Sequence, residues 1–320
     1  MRSHGAASLD LHAPLTRAAR AAPMAAALPI ERRSTPGLAE FRHRYLVPRQ
    51  PVILTDAAAG WPLYGRATPE HFRRLYGHRQ VRVLGQPMRL AELLDVLHAS
   101  TEERPGPYPC KYEIANEFPD LLAEVSPRLA CSMPDRQDNA LLPQRLFDGV
   151  NNLEIFFGGP GGRFPYLHFD VLHLHAWITQ LHGDKEFTLY APDQAEFLYV
   201  NPDIPWQSAM RGHHNPDLTR YPLFAAARAQ KVVLHAGETL FLPCGWWHTA
   251  RSLGMTISIA FDQLGADNWS DFLADIAAQR RRERHFAGGL LLAAYLRLLG
   301  LLLGVYEAFG GNRNPTWGVR

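Results

Sequence analysis

A run of short apolar segments between residues 150 and 262 constrains the fold of this chain more than any other feature. The segments are LEIFFGGPGG, LHLHAWITQLHGD, KEFTLYAP, KVVLHAGE, TLFLPCG and MTISIAF. Glycine and proline end most of them, so each apolar run is too short for a core helix and is typical of a β-strand. Many short strands in succession, separated by turn residues, predict a β-sandwich or a β-barrel.

The segments on either side predict helices. Before the strands lie helix patterns (PGLAEFRHRY, TPEHFRRLYG, LAELLDVLH) and strand patterns (PVILT, VRVL), with Thr68 as one helix N-cap. After them come two long helical patterns from Asn268 onward. We therefore predict a mainly β protein with flanking helices. Its parts are a disordered leader (1–28), an α+β lead-in packed on the core (29–145), a β core (146–265) and C-terminal helices (266–320).

Composition narrows the functional classes. The chain has 320 residues with a net charge of +2, so bulk charge indicates neither a nucleic-acid partner nor a membrane-surface partner. Its three cysteines (Cys110, Cys131 and Cys244) are few, odd in number and not in a C-x-x-C pair. A disulfide framework is therefore not expected, and we predict a reducing compartment and a cytoplasmic location. The arginine-rich, acid-poor leader also fits an organellar transit peptide, but we favour disorder.

Three residues have the types and spacing of a metal site. His168 and Asp170 are separated by one residue, and side chains at that spacing on a strand lie on the same face. His248 follows the strand end LPCGWW and is the best third ligand. Two histidines and one carboxylate occupy one face of an octahedral metal, which suits Fe(II) that must bind a cosubstrate and O₂ together. The same donors also fit Zn²⁺ and Mn²⁺.

Each half of that motif has an ordinary structural alternative, and Lys185 decides between them. An H-x-D pair also occurs by chance, and His248 could be a core histidine. In KEFTLY, however, Lys185 shares an apolar face with Phe187 and Leu189. A buried lysine is costly without an anion, and the distal carboxylate of 2-oxoglutarate would be that anion. The alternative is a lysine at the strand start that reaches solvent.

Together these segments resemble the JmjC and cupin-like hydroxylases. That family has an H-x-D motif, a Gly-x-Lys strand and a strand end in Pro-x-Gly-Trp-Trp-His, which match the segment from His168 to Tyr190 and AGETLFLPCGWWH. The PGLAEFRHRYLVPRQPVIL segment and the GWP turn resemble the family's lead-in more loosely. The resemblance covers about residues 29–265 and implies a double-stranded β-helix, the cupin jelly roll, as the core.

The resemblance also implies roles for particular residues. The three implied iron ligands are His168, Asp170 and His248. Lys185 would pair with the C5 carboxylate of 2-oxoglutarate, and Trp177 and Ser258 would be further cosubstrate contacts. The chain departs from the pattern at Ile178, where some relatives have asparagine. This departure affects only the detail of cosubstrate binding.

The implied activity is an oxygenase that uses Fe(II), 2-oxoglutarate and O₂. We expect it to hydroxylate a side chain of a protein or peptide. A small-molecule hydroxylase and an N-methyl demethylase share the mechanism and remain alternatives. Two alternatives belong to other functional classes. One is a non-enzymatic cupin-like binding protein, and the other is a cupin isomerase or dioxygenase that needs no cosubstrate. Lys185 argues against both, because neither has a use for a buried cation.

Other residues near the motif have weaker functional interpretations. His173, His175 and His182 crowd the same segment, and we favour imidazoles that line a polar cavity or the sheet surface over a second metal site. The polar stretch QSAMRGHHNPDLTRYP is expected to be an insertion that covers the substrate mouth. Three aromatic residues could form a substrate wall or pack in the core: Trp206, Tyr221 and Trp246.

The apolar tail at residues 287–310 is long enough to span a bilayer. Arg297 near its middle would be costly there, so a membrane anchor is not expected. Relatives commonly end in helices that pair between subunits, and we therefore predict a homodimer through the C-terminal helices, with a helix docked on its own chain as an alternative. The preceding basic run RRRER keeps the anchor open as an alternative.

Overall fold

The computed structural model describes residues 29–147, 150, 153–283 and 286–317, so the expected leader lies outside the described residues. The described strands are β1 (Glu31–Arg33), β2 (Val52–Leu54), β3 (Gln80–Val83), β4 (Gln86–Arg89), β5 (Cys110–Glu113), β6 (Leu153–Gly158), β7 (His175–His182), β8 (Lys185–Tyr190), β9 (Gln230–Leu234), β10 (Thr239–Leu242), β11 (Trp247–Ser252) and β12 (Thr256–Gln263). The described α-helices are α1 (Leu38–Phe41), α2 (Pro69–Tyr76), α3 (Leu90–His98), α4 (Ile114–Glu117), α5 (Leu121–Glu124), α6 (Trp269–Arg282) and α7 (Phe286–Ala308).

Two sheets form the core. The main sheet has the order β1-β2-β10-β7-β12-β6-β5, and the minor sheet has the order β11-β8-β9. Neighbours are antiparallel except for the parallel pair β1 and β2. Single bridges from Arg163 to Arg251 and from His168 to His248 extend the minor sheet beyond β11. Two facing sheets with helices at both ends of the chain confirm the predicted jelly-roll core with flanking helices.

The main sheet is covered on both faces, which explains why its strands have continuous apolar sequences. Every residue of β6 and β10 is buried. On β7, Trp177 packs in the cluster shared with the lead-in helices, whereas Ala176 and Ile178 pack between the two sheets. Strands buried on both faces lose the usual alternation of apolar and polar residues. The short apolar runs in the sequence therefore mark the centre of the fold.

The lead-in covers the outer face of the main sheet. Its helix α2 begins where the sequence indicates, because the Oγ1 of Thr68 accepts a hydrogen bond from the backbone N–H of His71 at 3.1 Å. Helix α1 continues directly into a π-helical turn at Arg42–Leu46. Strands β1, β2 and β5 belong to the main sheet, so the lead-in and the core share one sheet.

The C-terminal helices pack against each other beside the cavity. Leu296, Leu299 and Leu303 of α7 are buried in a cluster with Phe272 and Ile276 of α6. The segment Gly288–Ala308 is long and apolar enough to cross a membrane, with a mean hydropathy of 1.9, and 17% of its most apolar stretch is buried. Most of the other large apolar residues on and just after α7 are exposed: Leu290, Leu291, Tyr295, Leu298, Leu301, Leu302, Val305, Tyr306 and Phe309.

Candidate active site

A cavity of about 850 Å³ opens between the two sheets. Five of the six residues that the sequence analysis assigned to the site line it: His168, Asp170, Lys185, His248 and Ser258. These residues come from both sheets and from the segment before β7, so the fold joins parts of the chain that are far apart in sequence. The sixth residue, Trp177, lies elsewhere.

Backbone pairing brings the two candidate histidine ligands together. The N–H of His248 donates to the carbonyl of His168 at 2.6 Å, and the N–H of His168 donates to the carbonyl of His248 at 3.1 Å. Their rings are consequently 4.3 Å apart between centroids. Asp170 follows in an extended connection, with its Oδ1 3.9 Å from the Nε2 of His248. His168 instead forms two isolated bridges, one to His248 and one to Gln207, so the H-x-D segment is not the regular strand that we predicted.

The donor atoms of these three residues could hold one metal ion, since one ligand atom from each lies within 4.8 Å of the others. Across the described residues, no second group of three histidine, cysteine, aspartate or glutamate side chains is this close. His175 instead contacts Asp267, and His173 contacts Asp275. We expected these histidines to line a polar cavity or the sheet surface, but His175 is fully buried.

The protonation of the triad suits a metal. The Nδ1 of His248 lies 3.1 Å from the carbonyl of Trp246, which can only accept, so the proton is on Nδ1 and Nε2 is free to coordinate. Burial and the nearby His248 push the pKa of His168 well below its usual range. Burial also raises the pKa of Asp170, although His248 opposes that rise. A bound cation would offset the cost of this partly buried carboxylate. Two imidazoles and one carboxylate fit Fe(II).

Lys185 lines the cavity and is 2% exposed. Its Nζ donates to the Oγ of Ser258 at 2.6 Å, and the rings of Tyr108 and Phe156 lie 5.8 and 5.5 Å from it. Burial lowers the pKa of Lys185 to about 7. A hydroxyl and two aromatic rings are weak partners for an ammonium group, so this position suits an anionic ligand.

Tyr108, which no sequence pattern indicated, also lines the cavity near Lys185. Its hydroxyl is buried and has no hydrogen-bond partner among the described residues. Burial also raises the pKa of Tyr108, so the group is a neutral phenol that can donate a hydrogen bond. Tyr108 lies in the loop PGPYPC before β5, far upstream of the metal motif. No local pattern there indicates a ligand contact.

We expected Trp177 to contact the cosubstrate, but it does not line the cavity. Its side chain is fully buried on the face of β7 opposite the cavity. The rings of Phe41 and Phe241 lie 5.4 and 4.8 Å away, and its Nε1 donates to the Oε1 of Gln263 at 2.9 Å. Neighbouring side chains on a strand point to opposite faces, so Ile178 lines the cavity instead.

Two further carboxylates line the cavity on the main sheet. Glu154 pairs with Lys111 at 3.1 Å, and Asp262 lies on the neighbouring strand β12. Burial raises the pKa of Glu154 to about 7. Burial, followed by the charges of Asp170 and Glu154, raises the pKa of Asp262 well above its usual range. This wall therefore favours a cationic partner.

The rim of the cavity comes from the insertion between β8 and β9 and from α6. Trp206 of the insertion lines the rim, and its carbonyl accepts from the N–H of Phe169 at 3.0 Å. Arg145 and Arg282 lie on the α6 side. Tyr221 and Trp246 are buried in other clusters, so of the three candidate wall aromatics only Trp206 lines this cavity.

Comparisons with known proteins agree with this geometry. The profile of a family described as a cupin-like domain matches residues 38–262, more than half of the chain. "Lysine-specific demethylase 8" of Xenopus tropicalis is 26% identical over 237 residues, covering 71% of this chain and 51% of the relative. "JmjC domain-containing protein D" of Dictyostelium discoideum is 24% identical over 242 residues, covering 70% and 54%. "tRNA wybutosine-synthesizing protein 5" of Mus musculus is 33% identical over 104 residues, covering 32% and 31%.

The chain spans about half the length of the JmjC relatives it matches. The matched region nevertheless includes the whole candidate metal triad, Lys185 and all strands of the two-sheet core except β1 and the last residue of β12. From the profile match, the relatives and the site, we conclude that this chain belongs to the JmjC and cupin-like family of Fe(II)- and 2-oxoglutarate-dependent oxygenases.

Proposed function

We propose that this protein is an Fe(II)- and 2-oxoglutarate-dependent oxygenase that hydroxylates a side chain of a protein or peptide. The observation that carries the proposal is the presence of a facial triad and a buried lysine in one cavity. A cupin that uses no 2-oxoglutarate has no need of a cation at that place. The free, buried cysteines (Cys110, Cys131 and Cys244) support action in a reducing compartment such as the cytoplasm.

Each residue of the candidate site would have a separate role. His168, Asp170 and His248 would hold the iron, and Lys185 with Ser258 would bind the distal carboxylate of 2-oxoglutarate. Bound iron and cosubstrate supply the oxidising chemistry, in which decarboxylation of 2-oxoglutarate to succinate accompanies oxygen transfer to the substrate. The apolar wall around the lysine keeps water away and strengthens its pairing with the carboxylate.

The size of the cavity supports a substrate group beside the cosubstrate. Ligand pockets usually measure roughly 300–1,000 Å³, and this cavity of about 850 Å³ lies in the upper part of that range. Its rim is formed by separate elements, the insertion and α6, and a side chain presented on a peptide could enter between them. Several relatives are named as lysine-specific demethylases, which supports a protein substrate for this chain also.

N-methyl demethylation is a second candidate, and one observation favours it. Glu154 and Asp262 line the cavity on the main sheet, where carboxylates could pair with a substituted ammonium group. Hydroxylation of an N-methyl group gives an unstable product that releases formaldehyde. The two candidates therefore share every residue described above and differ in which C–H bond the substrate presents.

Anaerobic titration with Fe(II) and 2-oxoglutarate tests the proposal first. A metal-to-ligand charge-transfer band should appear only when both are present. Succinate release with a peptide library then finds the substrate, and mass spectrometry separates a gain of one oxygen from loss of a methyl group with formaldehyde. Replacement of any of the three triad residues by alanine should abolish turnover. A variant that keeps its iron content and near wild-type succinate production would remove that residue from the ligand set.

A further inference from the structure

The turn that precedes His248 is held by polar contacts at each end. Gly245 adopts a positive φ of 78°, which turns the chain from β10 towards β11. The N–H of Cys244 donates to the Nδ1 of His175 at 3.0 Å. The indole N–H of Trp246 donates to the carbonyl of Arg49 at 2.9 Å. Because the carbonyl of Trp246 also accepts from the Nδ1 of His248, the position of this turn sets the direction of the metal ligand.

His175 is the less obvious of these contacts, because its side chain points away from the cavity. It is 0% exposed, and its Nε2 lies 2.7 Å from the Oδ2 of Asp267. Since its Nδ1 accepts from a backbone amide, the proton must be on Nε2, which donates to the carboxylate. Burial acts to raise the pKa of Asp267, but the hydrogen bond from His175 opposes that rise and the pKa is lowered. Asp267 is thus an anion that fixes one tautomer of His175.

We propose that His175 and Asp267 are a positioning pair that orients the metal ligand His248 through the turn at residues 243–247. Asp267 selects the tautomer of His175, His175 anchors the amide of Cys244, and the turn presents the Trp246 carbonyl to His248. Neither member of the pair belongs to the triad or lines the cavity. The inference rests on the proposed metal site, and it adds a role for the most deeply buried histidine of the segment.

The competing explanation is that His175 only fills space beside Phe241, whose ring centroid lies 5.5 Å away. Two substitutions separate the explanations because each retains a different hydrogen-bonding position of the imidazole. In His175→Asn, the side-chain oxygen lies near the former Nδ1 and can still accept from Cys244. In His175→Gln, the longer side chain can reach Asp267 but places its polar group beyond the amide. Glutamine is closer to histidine in volume, so space filling predicts that the Gln variant is closer to wild type in metal binding. The positioning pair predicts this of the Asn variant.

The readout is the affinity of the full-length protein for Co(II), followed by the visible spectrum of the bound ion. Loss of an outer-shell partner typically lowers metal affinity about 10- to 100-fold. We expect that loss in His175→Gln, with an altered Co(II) spectrum, and near wild-type affinity in His175→Asn. The matched control is His235→Asn, which removes an exposed histidine from its 3.1 Å contact with Asp184 and should leave the affinity unchanged.

Asp267→Ala keeps the test valid if His175→Gln does not fold. It should weaken Co(II) binding, and ¹⁵N NMR of His175 should show a mixture of tautomers instead of one. The proposal is overturned if Gln binds Co(II) at least as tightly as Asn, or if Asp267→Ala leaves both affinity and tautomer unchanged. A wild-type protein that binds no Co(II) would overturn the metal site itself. These outcomes separate failure of the positioning pair from failure of the proposed function.

Discussion

The Nζ of Lys185 and the Oγ of Ser258 lie 2.6 Å apart and join the two sheets inside the cavity. Lys185 begins β8 of the minor sheet, whereas Ser258 lies on β12 of the main sheet. This contact leaves an ammonium group with a neutral partner in a buried site. A carboxylate placed beside it would gain a charged partner that the protein alone does not provide.

Lys185 variants should therefore change cosubstrate binding more than metal binding. Loss of one partner of a buried charge pair costs on the order of 3–5 kcal/mol. Lys185→Ala should accordingly weaken 2-oxoglutarate binding at least about a hundredfold. Lys185→Met should match Ala for the cosubstrate and wild type for stability, and Lys185→Arg should lie between Ala and wild type. An unchanged 2-oxoglutarate dissociation constant in both the Ala and Met variants would contradict the assignment.

The binding of 2-oxoglutarate should also depend on pH. The pKa of Lys185 in the free protein is lowered to about 7, so the side chain is charged below that pH and increasingly neutral above it. Binding of the dianion requires the charged form, and its affinity should fall by up to about tenfold per pH unit above 7. Calorimetry in buffers of different ionisation enthalpy should show proton uptake on binding at pH 8. In Lys185→Arg the affinity should be flat over this range, and a flat wild-type profile would refute the prediction.

Tyr108 should contribute one hydrogen bond to the same carboxylate. Hydrogen bonds to charged groups are worth about 1.5–3 kcal/mol, so Tyr108→Phe should weaken 2-oxoglutarate binding about 10- to 150-fold. The matched control is Tyr112→Phe. The Tyr112 hydroxyl donates to the carbonyl of Arg82 at 3.3 Å, away from the cavity. Equal dissociation constants for the two variants would show that the Tyr108 hydroxyl does not touch the cosubstrate.

Sequence patterns predicted what is local in this protein. The H-x-D pair, the inward face of Lys185 and the short buried strands each follow from the spacing of residues close together in the chain. The error at Trp177 came from the strand's two faces: both are buried, so composition alone could not show which one meets the cavity. Tyr108 and the contact between His175 and Asp267 depend on pairing between distant segments. No pattern within either segment indicates its partner.

The placement of Trp177 predicts that its substitution changes stability and not cosubstrate binding. Trp177→Phe removes the donor to the buried Gln263 and leaves that amide oxygen unpaired, which should cost about 1–3 kcal/mol of stability. The 2-oxoglutarate dissociation constant should not change. Ile178 is one residue further on and faces the cavity. Ile178→Phe should therefore weaken 2-oxoglutarate binding by occupying ligand space, with little change in stability. Chemical denaturation and titration of both variants would check this, and a weakened 2-oxoglutarate complex in Trp177→Phe would contradict it.

The two faces of α7 differ in their contacts. One face is docked, because its leucines pack on α6 and Glu307 binds the guanidinium of the buried Arg136 at 2.7 Å. The other face is apolar and exposed. Deletion of residues 287–320, which we expect to give a monomer or an aggregating protein, would also strip Arg136 of its carboxylate. Such a deletion therefore mixes loss of assembly with loss of stability.

Point substitutions on the exposed face test the predicted homodimer directly. Leu298 and Leu302 are exposed and one helical turn apart, so Leu298→Glu with Leu302→Glu places two charges on the face that would be buried between subunits. Light scattering should show a dimer for the wild type and a monomer for the double variant, with little change in thermal midpoint. The control is Leu299→Ala on the docked face, where a buried leucine should cost about 2–5 kcal/mol of stability without changing assembly. A double variant that stays dimeric would exclude this face as the interface. A wild-type protein that is monomeric and co-floats with lipid vesicles would favour the membrane alternative.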